Sequence, residues 1–169
     1  MIKKNIWNFF FILSIFGLDR VSKIVMAYYS EVYGYSNFLI TNFLSFNLIW
    51  NDGIAFGLLS FNETIYYNSL TGVICLVTLI VLWMIFKTKE RERLAFMMVF
   101  GGSLGNIFDR LYYSSVPDFI DIHFGDFHWF IFNVADIFIT LGIFCLIGIE
   151  IFSKKINENY KNVFNSFHS

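Results

Sequence analysis

Thr64–Phe86, TIYYNSLTGVICLVTLIVLWMIF, runs for 23 residues without an Asp, Glu, Lys, Arg or His. About 20 apolar residues suffice for a helix to cross the hydrocarbon of a bilayer, so this stretch predicts a membrane-spanning helix over about 64–86. Outward from it, Leu94–Phe108 is a second uncharged run that extends through Leu111, and Trp129–Ile149 is a third, interrupted by Asp136. Near the N-terminus, Asn5–Leu18 continues past Asp19, Arg20 and Lys23 into Ile24–Tyr29. Four spanning helices follow, over about 5–29, 64–86, 94–111 and 129–152.

The composition agrees. Of 169 residues, 57% are hydrophobic and 15% charged, against about 25% charged in ordinary globular domains. The 12 basic and 13 acidic residues leave a net charge of −1, which gives no electrostatic reason to bind nucleic acid. Cys75 and Cys145 lie inside apolar runs and read as packing residues, not as a disulfide or metal site. Lys3-Lys4 ahead of an apolar stretch suggests a signal peptide, but no small-x-small site follows, so a retained first helix is expected.

Charge placement orients the chain. Lys3, Lys4, Lys87, Lys89, Arg91, Arg93, Lys154, Lys155 and Lys161 fall at the N-terminus, in the 87–93 link and in the C-terminal tail. The segments 30–63 and 112–128 hold no Lys or Arg. The positive-inside rule puts both termini in the cytoplasm and those two segments outside. Arg20, Lys23 and Arg110 remain, and they obey no topological rule.

An ionisable group inside a spanning helix costs at least about 2.5–3.5 kcal/mol and marks a working site by default. At about 1.5 Å per residue, Asp19 sits roughly 20 Å along the first helix, Arg110 roughly 24 Å along the third, and Asp136 about 10 Å into the fourth. All three lie near the outer surface. Asp19 and Lys23 are i, i+4; Gly102, Asn106 and Arg110 form a stripe; Asn133 and Asp136 are i, i+3. Ion pairs and amide bridges that join helices in lipid account equally well for the first two groups. Asp136 has no basic residue one turn away, and that reading leaves it unexplained.

The outer segments are patterned as well. Ile120–Trp129 alternates apolar and polar residues around Gly125-Asp126, which predicts a short hairpin, and Phe38–Trp50 reads as further strand. His123 and His128 are expected to face solvent, with no metal bound. Asn51-Asp52-Gly53 is a turn signal just before Ile54–Gly57, read as an interfacial segment, and the small residues of Gly101–Gly105 permit close helix approach. The expected fold is an all-α integral membrane protein with four transmembrane helices and a small extracytoplasmic β element.

Taken together, five blocks resemble the lipoprotein signal peptidases, the bacterial type II signal peptidases. They are Asp19–Lys23, Asn51–Gly57, Gly101–Arg110, Val116–Asp121 and Phe132–Asp136, and their order covers nearly the whole chain. The resemblance implies an aspartic endopeptidase of the bacterial cytoplasmic membrane, without cofactor or metal. Its substrate would be a lipid-modified prolipoprotein, cut just before the diacylglyceryl-cysteine, and its surroundings membrane lipids. By position, the catalytic pair would be Asp118 and Asp136. Asp19, Lys23, Asn51, Gly102, Asn106, Arg110 and Asn133 would support it or line the substrate site. Two residues depart from the family pattern: Arg20, where Gln is usual, and Pro117, where a small apolar residue is usual. A cation-coupled transporter would also place charges in helices, but it predicts polar groups at several depths and an internal repeat, and neither is visible. A non-catalytic scaffold leaves Asp136 without a purpose.

Overall fold

The computed structural model describes residues 2–34, 37–53 and 64–166, which form four helices and four strands. In chain order these are α1 (Ile2–Tyr33), β1 (Asn37–Thr41), β2 (Leu44–Asn51), α2 (Thr64–Lys87), α3 (Glu90–Tyr113), β3 (Val116–Phe124), β4 (Phe127–Phe132) and α4 (Val134–Ser166). The strands make one antiparallel sheet in the order β1-β2-β3-β4. The fold is mostly helical, and the strands expected over 38–50 and in the 120–129 hairpin join in this one sheet.

Among the described residues, two helices, over Ile65–Lys87 and Val134–Lys154, are long and apolar enough to cross a membrane. On α2 the apolar side chains point outward: Val73, Leu76, Leu79 and Trp83 are all exposed. A helix that leaves such a surface uncovered needs an apolar solvent. Its C-terminal carbonyls are closed by Arg93 of α3, whose Nε donates to the Ile85 carbonyl at 3.0 Å and whose Nη2 donates to that of Thr88 at 2.9 Å. Arg93, first read as an orientation charge, thus also joins α2 to α3.

Helix α3 packs against α1, α2 and α4. It can do so because it is smooth where they cross. A Cβ at Gly102 would lie 2.5 Å from the Ala135 carbonyl oxygen of α4, and one at Gly105 would run into the Asp19 carboxylate of α1. On α4, a Cβ at Gly142 would lie 2.7 Å from the Ala95 oxygen of α3. The small-residue run of 101–105 is therefore a site of close backbone approach.

Element ends differ from the sequence reading. Helix α3 begins at Glu90, where Glu90 and Glu92 suit the positive end of the helix dipole. Trp129, expected at the start of the fourth helix, lies in β4. Phe127–Phe132 pairs with β3 after a turn at Gly125, whose φ is +59°, and α4 starts only at Val134 and runs to Ser166. Pro117 fits β3 because β4 ends opposite Ile120, leaving Pro117 with a strand neighbour on the β2 side alone.

Gly102→Ala should lower the thermal stability of the detergent-solubilised protein by about 1–3 kcal/mol, the usual cost of overpacking. Gly148→Ala, where a Cβ meets nothing within 4 Å, should leave it unchanged. Equal melting temperatures for both variants would show that α3 and α4 can separate without cost.

Candidate active site

The sheet brings the first acid into place. Asn51 ends β2 opposite Val116, which sets Asp118 opposite Ile49. Asn51 Nδ2 donates to Asp118 Oδ2 at 2.8 Å, while Asn51 Oδ1 accepts the Gly53 N–H at 2.8 Å. The Asn51–Gly53 turn is thus an Asx turn whose side chain also holds a carboxylate. Arg110, in the last turn of α3, donates to the Gly53 carbonyl and lies 5.3 Å from the Tyr67 ring of α2. The segment Ile54–Gly57 is outside the described residues.

The second acid is part of a helix start. Asn133 precedes α4, and its Oδ1 accepts the Asp136 N–H at 3.0 Å, while Asp136 Oδ2 accepts the Asn133 N–H at 3.2 Å. This reciprocal arrangement is a capping box, built here from Asn and Asp. The sequence reading put Asn133 and Asp136 on one face some way into a helix; they instead form its N-cap and third residue. The free amide of Asn133 then donates from Nδ2 to Asp118 Oδ1 at 2.6 Å. One fully buried asparagine therefore ties both carboxylates together.

Behind the pair lies a buried ionic cluster. Asn106 Nδ2 donates to Asp136 Oδ1 at 2.8 Å, and Asn106 Oδ1 accepts from Lys23 Nζ at 2.8 Å. The same ammonium donates to Asp19 Oδ2 at 3.0 Å and to Asp109 Oδ2 at 2.7 Å. Those three contacts use all three of its protons. Asp19 Oδ1 accepts the Ala135 N–H at 3.0 Å, so α1 caps the first turn of α4.

Of the residues singled out in the sequence, Asp19, Lys23, Asn51, Asn106, Asn133, Asp118 and Asp136 form one hydrogen-bonded network. Arg110 joins it through Gly53. Gly102 offers no group to the acids; it lets the Ala135 backbone approach. Asp109 was missed, although it is wholly buried and holds Lys23. Charge counting would have found it, since Arg20 and Lys23 in an apolar setting require a second acid besides Asp19. His128 is exposed, as expected, and His123 is half-buried. His128 Nδ1 lies 2.7 Å from Oδ2 of the buried Asp121, which Ser45 Oγ also approaches at 3.4 Å, and the Nδ1 of His123 is buried.

A family model for signal peptidase (SPase) II matches residues 11–152. The lipoprotein signal peptidase of Pelagibacter ubique (strain HTCC1062) is 46% identical over 166 residues, covering 96% of this chain and 100% of that protein. That of Francisella tularensis subsp. mediasiatica (strain FSC147) is 34% identical, covering 92% and 98%. A bacterial membrane enzyme solved by the in meso method at 2.3 Å resolution is similar in fold, with a TM-score of 0.67 at 26% identity, covering 89% of this chain and 90% of that one.

Asp118 stands outside the helices, and its proton affinity is unusual. Burial and then the nearby Asp136 carboxylate push its pKa up to about 7, against the opposing pull of hydrogen bonds from Asn51 and Asn133. An acid with a raised folded pKa makes the folded state bind the extra proton, so stability falls as pH rises from the ordinary range near 3.8 through about 7. Removing that acid removes the dependence. Thermal unfolding should show Asp118→Asn gaining stability relative to the parent chain between about pH 5 and about pH 8. A difference that does not change with pH would mean that Asp118 is already ionised at the lower value.

Proposed function

Because the chain belongs to the signal peptidase II family, which removes signal peptides from prolipoproteins by aspartic chemistry, we propose that Asp118 and Asp136 are its catalytic pair. The observation that carries this reading is Asn133, which hydrogen-bonds to both carboxylates at once. Two acids so joined and so poorly solvated favour sharing one proton over both being charged. In the reaction, one carboxylate takes a proton from water as the water oxygen attacks the scissile carbonyl carbon. The other acid donates its proton to the carbonyl oxygen. When the tetrahedral diol collapses, the C–N bond breaks and a proton passes to the leaving amine.

The pair then needs a substrate delivered at the membrane surface. We read the substrate as a diacylglyceryl-modified prolipoprotein cut just before the lipidated cysteine, with acyl chains in the bilayer and the peptide bond raised to the acids. Exposed aromatic side chains on the sheet, Phe43, Trp50, Phe124, Phe127 and Trp129, support an interfacial setting. Four helices would cross the cytoplasmic membrane, with both termini inside and the acids near the outer surface, as the lysines and arginines indicate.

Asp118→Asn and Asp136→Asn should each reduce turnover of a diacylglyceryl prolipoprotein in detergent by about 10²–10⁴-fold. Cleavage at the parental rate by either variant would remove that residue from the pair. For topology, in a chain with Cys75 and Cys145 replaced by Ala, Ser114→Cys should react with an impermeant maleimide added to intact cells and Thr88→Cys should not. Reaction at position 88 but not at 114 would invert the orientation.

A further inference from the structure

Helices α3 and α4 touch closely near the acids and part at their far ends. Where they touch, a Cβ at Gly102 would lie 2.5 Å from the Ala135 carbonyl oxygen, and one at Gly142 would lie 2.7 Å from that of Ala95. Past Gly142 the contact opens: a Cβ at Gly148 would meet nothing within 4 Å. The space there is a cleft of about 580 Å³, walled by Leu94 and Met98 of α3 and by Cys145, Ile149 and Phe152 of α4. That volume falls within the range of about 300–1,000 Å³ usual for ligand sites. Arg91 is the one charged residue of its lining, and apart from Ser153 the others are apolar or small. An apolar occupant would gain dispersion contacts along both walls.

A second cleft, of about 450 Å³, adjoins the first and shares Arg91, Ile149 and Ser153 with it. The rest of its lining is Lys89, Glu90 and Glu92, so two cations and two anions stand around it. The apolar spans of α2 and α4 end at Lys87 and Lys154, and α3 begins at Glu90. The charged cleft therefore lies at the level where hydrocarbon gives way to headgroups. An apolar slot that opens at that level onto charges of both signs matches a molecule with acyl chains, a phosphate and an amine. We propose that the joined clefts bind a phospholipid with a primary-amine headgroup. One acyl chain lies along Leu94, Met98 and Phe152, the phosphate meets Arg91 and Lys89, and the ammonium meets Glu90 and Glu92. Guanidinium suits phosphate because its fork of donors can hold two oxygens at once. A lipid with a purely anionic headgroup would bring no ammonium to the two glutamates, and a diacylglycerol would leave all four charges unused. The inference depends on the membrane setting of α2 and α4 and not on the roles of Asp118 and Asp136.

The test is native mass spectrometry of the delipidated chain in detergent, titrated in turn with dioleoyl phosphatidylethanolamine, dioleoyl phosphatidylglycerol and dioleoylglycerol. Cys145, exposed and lining the apolar cleft, gives a second readout. In a Cys75→Ala chain, the ethanolamine lipid should bind most tightly of the three and should slow alkylation of Cys145 by N-ethylmaleimide. Arg91→Gln should weaken that binding by about 5-fold, the weight of one interfacial cation. Lys87→Gln, outside both clefts, should leave it unchanged, and Gly148→Trp, which fills the apolar cleft, should abolish it. Equal binding of phosphatidylglycerol or of dioleoylglycerol overturns the proposal, as does an unchanged affinity in Arg91→Gln. Protection of Cys145 that grows with protein concentration in the absence of lipid also overturns it, since a second copy of the chain would then cover the cleft. Should Gly148→Trp fail to fold, Arg91→Gln decides alone, because that side chain is exposed.

Discussion

Lys23 carries a full positive charge at a position with almost no access to water, and burial of that charge constrains the rest of the molecule. An ammonium removed from water needs acceptors for three protons and at least one counter-charge close by. Asp19 supplies the first from the same helix, but Asp109 and Asn106 must come from α3, so α1 and α3 are held in one rotational setting. Close contact between these helices is possible because Gly101 and Gly105 leave room for Ile15 and Asp19. Electrostatics therefore sets the register that the small residues permit.

A second economy lies at Asn133. It ends the connection from the sheet, caps α4, and joins Asp118 to Asp136. A helix start normally offers unpaired N–H groups to water or to a capping side chain. Here two of those groups, of Ala135 and Asp136, are taken by Asp19 from another helix and by Asn133. The positive end of the α4 dipole also lies at the acids, where it favours negative charge. Burial and the mutual repulsion of the two carboxylates work in the opposite direction on Asp118. The pair is thus rigidly held while one of its members keeps a proton affinity far above that of a solvated carboxylate.

Much of this was legible beforehand because charge is rare in the chain. In a segment with few ionisable groups, Asp19, Lys23, Arg110 and Asp136 stand out, and the turn and hairpin signals at Asn51–Gly53 and Gly125-Asp126 are local chemistry. The misreadings have a common cause. Trp129–Phe132 is as apolar as a helix interior, and periodicity does not distinguish strand from helix over so short a run; pairing with β3 decided it. Asn-x-x-Asp suits a helix face and a capping box equally, and the end of β4 selected the box. Asp109 lies off the Gly102, Asn106 and Arg110 stripe, and its partner Lys23 is on another helix, so no local spacing pointed to it.

By itself, then, the sequence determined the apolar helices, the strands and the types of residue that carry the chemistry, since these depend on composition and on spacings within one element. Tertiary structure alone decided how Asp118 meets Asp136. They come from a strand and a helix, and their approach depends on β2 register, on the capping of α4 and on the ion cluster between α1 and α3. Such contacts join residues as far apart as Asp19 and Ala135, and no local pattern encodes the balance of desolvation and charge that brings them together.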